Sequence, residues 1–148
     1  MSQRFSWIKE DVIGGMERPG VFNPIQVDLE FLNEHGIRVI INLEEYERDY
    51  PGFEVFHVPI RDFSPPELED FVNFNDYVST KIEEDKKLVV HCHAGMGRTN
   101  LMLASFLVRN ELIKPDLALS VVKEKRPVHW VTPPQTQALW DYYYTLIY

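Results

Sequence analysis

The stretch Ile37-Arg38-Val39-Ile40-Ile41-Asn42-Leu43 is rich in β-branched residues and sets apolar side chains on both faces of any strand it forms. Such a strand belongs inside a sheet covered from both sides, and helices are the usual cover. Phe53 to Ile60 and Lys87 to Cys92 are two further strand candidates. Segments of helical period separate and follow them. The pattern predicts an α/β fold, with a small, largely parallel central sheet flanked by helices.

The helix starts are marked. Asn23-Pro24-Ile25-Gln26 reads as an N-cap, a proline in the first turn and a closing Gln, with Ile25, Leu29 and Leu32 at helical spacing and Gly36 as the stop. Ser64-Pro65-Pro66-Glu67 reads as a second capping box, opening a helix through Leu68, Phe71, Val72, Val78 and Ile82. Thr99 to Asn110 is apolar on nearly every face and is predicted to be buried. Pro115 opens a further helix that ends near Arg126-Pro127. Thr132-Pro133-Pro134-Gln135 opens the last, with Trp140, Tyr143 and Ile147 on one face.

The 148 residues, with no repeat or linker among them, fit one domain, residues 1–148. No apolar run approaches the roughly 20 residues that cross a bilayer, and Met1 to Glu10 lacks a signal-type apolar stretch. Cys92 is the single cysteine, so an intrachain disulfide is excluded. These features point to a cytoplasmic, reducing location and to no membrane partner. The net charge of −8 disfavours polyanionic partners such as nucleic acid. Lys123-Glu124-Lys125-Arg126, the longest basic cluster, reads as a solvated helix end.

The chemistry concentrates in Val89-Val90-His91-Cys92-His93-Ala94-Gly95-Met96-Gly97-Arg98-Thr99, which runs from a buried strand through a loop with two glycines into a helix. A loop of this kind gathers backbone N–H groups at one spot, and the helix adds its positive end there, so the segment suits a tetrahedral dianion. A cysteine at the start of the loop lies at the floor of that cup, where the same field favours the thiolate. Arg98 closes the loop with a planar fork able to hold two phosphate oxygens. A nucleophile in line with a clamped phosphorus is a phosphoryl-transfer site that needs neither metal nor cofactor.

These residues match His-Cys, five residues, Arg-Ser/Thr, and the chain resembles the protein tyrosine phosphatase superfamily, in particular the small atypical dual-specificity phosphatases of the VHZ type and their archaeal relatives. The resemblance extends over nearly the whole chain. Phe5 to Ile8 with Gly14-Gly15-Met16 resembles their N-terminal hairpin, and Phe31 to Leu43 their first helix–strand unit. It implies the single-domain cysteine-phosphatase fold, with His93, Ala94, Gly95, Met96, Gly97 and Arg98 as the phosphate-binding loop. Pro59-Ile60-Arg61-Asp62-Phe63-Ser64-Pro65-Pro66 resembles the loop that carries their general acid, which implies Asp62 in that role. An acid upstream of the cysteine argues against the low-molecular-weight tyrosine phosphatases, and rhodanese-type domains lack such a segment. The supporting roles implied are loop orientation for His91, a hydroxyl to the Cys92 sulfur for Thr99, and positioning of the hydrolytic water for Gln135, which also fits a helix cap. Arg61 stands where relatives commonly carry Pro, and Asn100 and Val128 where they carry Gly.

The resemblance implies a monomeric enzyme acting on phosphotyrosine proteins, with phosphoserine and phosphothreonine as further substrates. Lipid phosphatases of this superfamily often carry lysines where this chain has His93 and Met96, which argues against polyphosphorylated lipids. An RNA 5′-phosphatase would require a basic channel. A phosphoresidue-binding module without turnover is the alternative of a different class. Glu44-Glu45-Tyr46-Glu47-Arg48 is expected near the pocket mouth as a solvated charged loop.

Overall fold

The computed structural model describes residues 5–148; the first four residues of the Met1 to Glu10 stretch lie outside them. Ten elements follow in chain order: β1 (Ser6–Lys9), β2 (Ile13–Met16), α1 (Ile25–Glu34), β3 (Ile37–Asn42), β4 (Glu54–His57), α2 (Leu68–Glu83), β5 (Lys87–His91), α3 (Arg98–Glu111), α4 (Pro115–Lys125) and α5 (Pro133–Ile147). The strands form one sheet in the order β1-β2-β5-β3-β4. β1 and β2 make an antiparallel hairpin, while β2, β5, β3 and β4 run parallel. The α/β reading and the largely parallel sheet therefore stand.

Side-chain alternation along the strands builds two cores. Leu88, Val90 and Cys92 pack on one face with Val39, Ile41, Leu43 and the apolar sides of α2, α3 and α5. Val89, Ile40, Ile37, Met16, Leu32 and Tyr50 pack on the other, beneath α1. Ile37 and Val39 are both odd positions but lie on opposite faces, because the β3–β5 register shifts between them. α3 is buried from Arg98 through Val108, as expected for a helix apolar on nearly every face, while Arg109 and Asn110 at the end of the predicted segment are not buried.

Two helix starts and one buried helix face differ from expectation. Pro24, not Asn23, stands at the N-cap of α1; the Asn23 amide instead donates to Asp28 Oδ1 at 3.1 Å, and Asp28 Oδ2 accepts from Gly20 N–H at 2.9 Å. The second capping box lies later than predicted. Asp70 Oδ2 accepts from the Glu67 N–H at 2.8 Å, while the Ser64 N–H turns back to the Arg61 carbonyl at 3.0 Å. On α5, Leu139, Tyr142 and Tyr143 are the buried apolar positions and Ile147 is exposed, because Tyr142 stacks on Phe71 of α2 with ring centroids 5.0 Å apart. The Thr132–Gln135 capping box is formed as read.

Candidate active site

The period of β5 decides what its last residues do. His91 points with Val89 toward the α1 side, and Cys92 with Val90 toward α3. Cys92 is buried at the base of a cavity of about 290 Å³ lined by Asp62, Phe63, Cys92, His93, Ala94, Met96, Gly97, Arg98, Trp130 and Gln135. Ligands of open parallel sheets are expected beyond the carboxyl ends of the strands, and this cavity opens there. Thr99, in the first turn of α3, donates its hydroxyl to Cys92 Sγ at 3.1 Å.

The loop between β5 and α3 is fastened from outside. The His93 carbonyl accepts from Arg18 N–H at 3.0 Å, the Gly95 carbonyl from Arg126 Nη2 at 2.6 Å, and the Met96 carbonyl from Trp130 N–H at 2.9 Å. In a planar trans peptide, carbonyl and N–H point to opposite edges. Outward carbonyls at Gly95 and Met96 therefore turn the N–H groups of Met96 and Gly97 the other way, toward the cavity those residues line. Gly95 has φ +74°, and a Cβ there would lie 2.7 Å from the Met16 carbonyl, so glycine is required. Arg126, read as part of a solvated helix end, is buried instead. Its Nη1 also donates to the Gly15 carbonyl and its Nε to Asn100 Oδ1, both at 2.6 Å. Lys123, Glu124 and Lys125 are exposed.

Arg98 is held by two groups: its Nη1 donates to Glu45 Oε1 at 2.8 Å and to the Ile60 carbonyl at 2.9 Å. Its Nε is buried without a hydrogen-bond partner and lies 3.4 Å from Asp62 Oδ1. Burial raises the pKa of the Glu45 carboxyl, but its own backbone N–H and Arg98 outweigh this and leave it below the ordinary value. The expected solvated loop at Glu44 to Arg48 holds for Glu45, Tyr46 and Glu47, which are exposed, and is corrected at Glu44. Glu45 faces Arg98, and Glu44 is buried, accepting from Arg18 at 3.0 Å and Arg48 at 2.9 Å. Its place directly after β3, on the ligand end of the sheet, was the available signal. Arg98→Lys is expected to lower kcat roughly a hundredfold, since lysine cannot present two parallel donors. A variant within a few-fold of wild type in steady-state kinetics would remove Arg98 from the reaction.

His91 is fully buried, and desolvation pushes its pKa down to about 4. The Tyr50 hydroxyl, whose own pKa burial raises, donates to His91 Nε2 across 3.0 Å. The neutral ring then carries its proton on Nδ1, 3.2 Å from the Cys92 carbonyl. His91 thus meets the Cys92 carbonyl, at the start of the loop, as a neutral donor. A histidine with a depressed folded pKa binds fewer protons folded than unfolded, so its contribution is complete above pH 6.5 and is lost as pH falls toward 4. It is worth about 3 kcal/mol by linkage. His129 adds in the same direction, lowered by burial, Lys123 and Arg126. Urea midpoints between pH 7 and 4 should therefore fall more steeply for wild type than for His91→Asn. Parallel slopes would show that His91 is not held neutral.

Asp62 reaches the cavity from the loop before α2, where its Oδ1 also accepts from Phe63 N–H at 3.0 Å. Gln135 serves as a cap and as a lining residue: Oε1 accepts from Thr132 N–H at 2.9 Å, and Nε2 donates to the Ser64 carbonyl at 3.3 Å. It thereby ties α5 to the Asp62 loop. Of the departures, Asn100 is buried and bonded, whereas Val128 is exposed. Sequence reading gave no role to Tyr50, Arg126 or Trp130.

The family model described as "Polymorphic toxin system, DSP-PTPase phosphatase" matches residues 14–111. Protein tyrosine phosphatase domain-containing protein 1 of Bos taurus is 26% identical over 145 residues, covering 82% of this chain and 18% of the relative. The phosphatidylglycerophosphate phosphatase PTPMT1 of Arabidopsis thaliana is 28% identical over 133 residues, covering 84% of this chain and 40% of the relative. This chain thus spans well under half the length of these relatives. The crystal structure of Tk-PTP in the active form superposes with a TM-score of 0.83 at 24% identity, covering 97% of this chain and 99% of that one, a likeness of fold.

Proposed function

The chain belongs to the DSP-PTPase family of tyrosine and dual-specificity phosphatases, and on that premise we propose that it hydrolyses phosphotyrosine-type monoesters of proteins through a phosphocysteine at Cys92. The observation that carries this reading is the convergence of Cys92 Sγ, the Arg98 fork and the Asp62 carboxylate on one cavity. The Cys92 thiolate attacks phosphorus, and the bond to the leaving oxygen breaks while Asp62 gives that oxygen its proton. Water then attacks the phosphocysteine, Asp62 takes its proton, and the sulfur leaves as a thiolate that the Thr99 hydroxyl stabilises. Arg98 neutralises the charge on the equatorial oxygens throughout.

A second reading, a lipid phosphomonoester, is favoured by the similarity to PTPMT1. Against it, Arg98 is the only arginine or lysine among the residues lining the cavity. The test is release of phosphate from an aryl phosphate, phosphotyrosine and phosphothreonine peptides, phosphatidylglycerophosphate, phosphoinositides and 5′-phosphorylated RNA. Highest kcat/KM on the phosphotyrosine peptide supports the proposal. A lipid or RNA in that place replaces the substrate, and binding without phosphate release replaces the enzyme with a recognition module.

A further inference from the structure

Trp130 is 63% exposed, although tryptophan normally buries most of its surface, and it lines the cavity above Cys92. Its backbone is not free. Residues 126 to 130 form a strap laid across the phosphate loop, fastened at Arg126 to the Gly95 carbonyl and at the Trp130 N–H to the Met96 carbonyl. The Trp130 carbonyl presses so close to Gly97 that a Cβ there would lie 2.8 Å from it. Asn100, in the first turn of α3, buckles the strap. Its Oδ1 accepts from Arg126 Nε at 2.6 Å, its Nδ2 donates to the Val128 carbonyl at 3.2 Å, and it meets His129 Nδ1 at 3.1 Å. A second aromatic ring, Phe63, reaches the same cavity from the Asp62 loop. It is 62% exposed and stands at φ +62°, a left-handed conformation that bulky residues rarely hold without a local reason.

From this arrangement we propose that Trp130, positioned by the Asn100 latch and paired with Phe63, is a specificity-determining residue that selects flat, aromatic phosphomonoesters over alkyl ones. The inference rests on the phosphatase reading for its substrate class but concerns how the leaving group is recognised, which binding alone can measure. Two exposed rings on a cavity 290 Å³ in volume give a ring-shaped leaving group apolar surface to cover, whereas a threonine side chain offers two carbons and little area. The Asn100 side chain links the start of α3 to the strap, so the backbone that carries the indole is held in place before substrate arrives, which limits the ordering cost of binding.

The experiment measures binding of phenyl phosphate and of inorganic phosphate to the Cys92→Ser protein by calorimetry, so that no turnover is required. The ratio of the two affinities should fall about three- to tenfold on Trp130→Ala and recover most of its value in Trp130→Phe. Asn100→Gly, which keeps Trp130 but opens the latch, should lower the ratio part of the way. In active protein, the same Trp130→Ala change should raise KM for a phosphotyrosine peptide more than it lowers kcat. Because Trp130 lies outside the core, its truncation should leave the urea midpoint of the protein close to wild type. A ratio unaltered by Trp130→Ala, or a phenylalanine variant no better than alanine, overturns the assignment. If the wild-type protein releases no phosphate but the ratio still depends on Trp130, the phosphatase reading fails and the aromatic slot stands.

Discussion

Cys92→Ser should reduce phosphate release to background on every substrate. The expectation follows from the chemistry of the atom at the cavity floor. A serine hydroxyl in the same place is essentially un-ionised near neutral pH, and the side chain bonded to this atom is the Thr99 hydroxyl, not a base, while His91 turns to the opposite face of the sheet, toward Tyr50. The substitution is nearly isosteric, and the Thr99 hydroxyl, 3.1 Å from Sγ, can bond oxygen as readily as sulfur, so folding should be unaffected. Arg98 remains in its cradle of Glu45 and the Ile60 carbonyl, so phosphate and phosphopeptide should still bind. Kinetics, a urea melt and calorimetry on one preparation read all three. A chelator added to the wild-type enzyme should leave its rate unchanged, since the proposed nucleophile, anion clamp and acid are all side chains. Substantial turnover by the serine variant would mean that the attacking group is not Cys92, and loss of wild-type rate on chelation would add a metal to the mechanism.

Asp62→Ala should cost about 10²–10⁴ in kcat on phosphotyrosine peptides. The size of the effect depends on how much the leaving oxygen needs a proton. A tyrosine phenol, with pKa near 10, leaves poorly as an anion. An activated aryl phosphate, whose leaving group is a weaker base, should lose distinctly less. The geometry adds a second expectation. Asp62 Oδ1 lies 3.4 Å from Arg98 Nε, so the variant also removes a carboxyl oxygen that faces the anion clamp. Phosphate and unreacted substrate should therefore bind at least as tightly as to wild type. Glu67, Glu69 and Asp70 are the other acids of this segment. Asp70 is engaged in capping α2 through the Glu67 N–H, and all three should be far more dispensable in the same assay. Equal slowing of both substrate types, or no slowing, would place the acid elsewhere.

Much of this was legible in the chain because the informative signals are local. The β-branched run from Ile37, the apolar helix from Thr99 and the Thr132–Gln135 capping box specify elements through contacts a few residues long. Cys92, the two glycines and Arg98 are readable for the same reason: one strand, one loop and one helix start make up the proposed anion site. The misreadings share a different cause. Arg126 looked like a solvated helix end because its neighbours in sequence are charged. Its partners are Gly15, Gly95 and Asn100, between 26 and 111 residues away. Glu44 looked solvated for the same reason, yet it is buried against Arg18 and Arg48.

What the sequence determined by itself is therefore the place of Cys92 at the end of a strand, the loop that follows it, and the α/β frame that carries them, since strand alternation and helix period are properties of adjacent residues. What only the tertiary structure decided is how those groups are held. Crossing the sheet in the order β1-β2-β5-β3-β4 places β2 and β3 on either side of β5. That order delivers the loop after β3 to Arg98 and the end of β2 to the back of the phosphate loop. A buried charge or an outward carbonyl must find a partner wherever the chain can bring one, because leaving it desolvated and unpaired costs more than most single contacts return. Those partners come from distant segments, and no spacing along the chain marks them in advance.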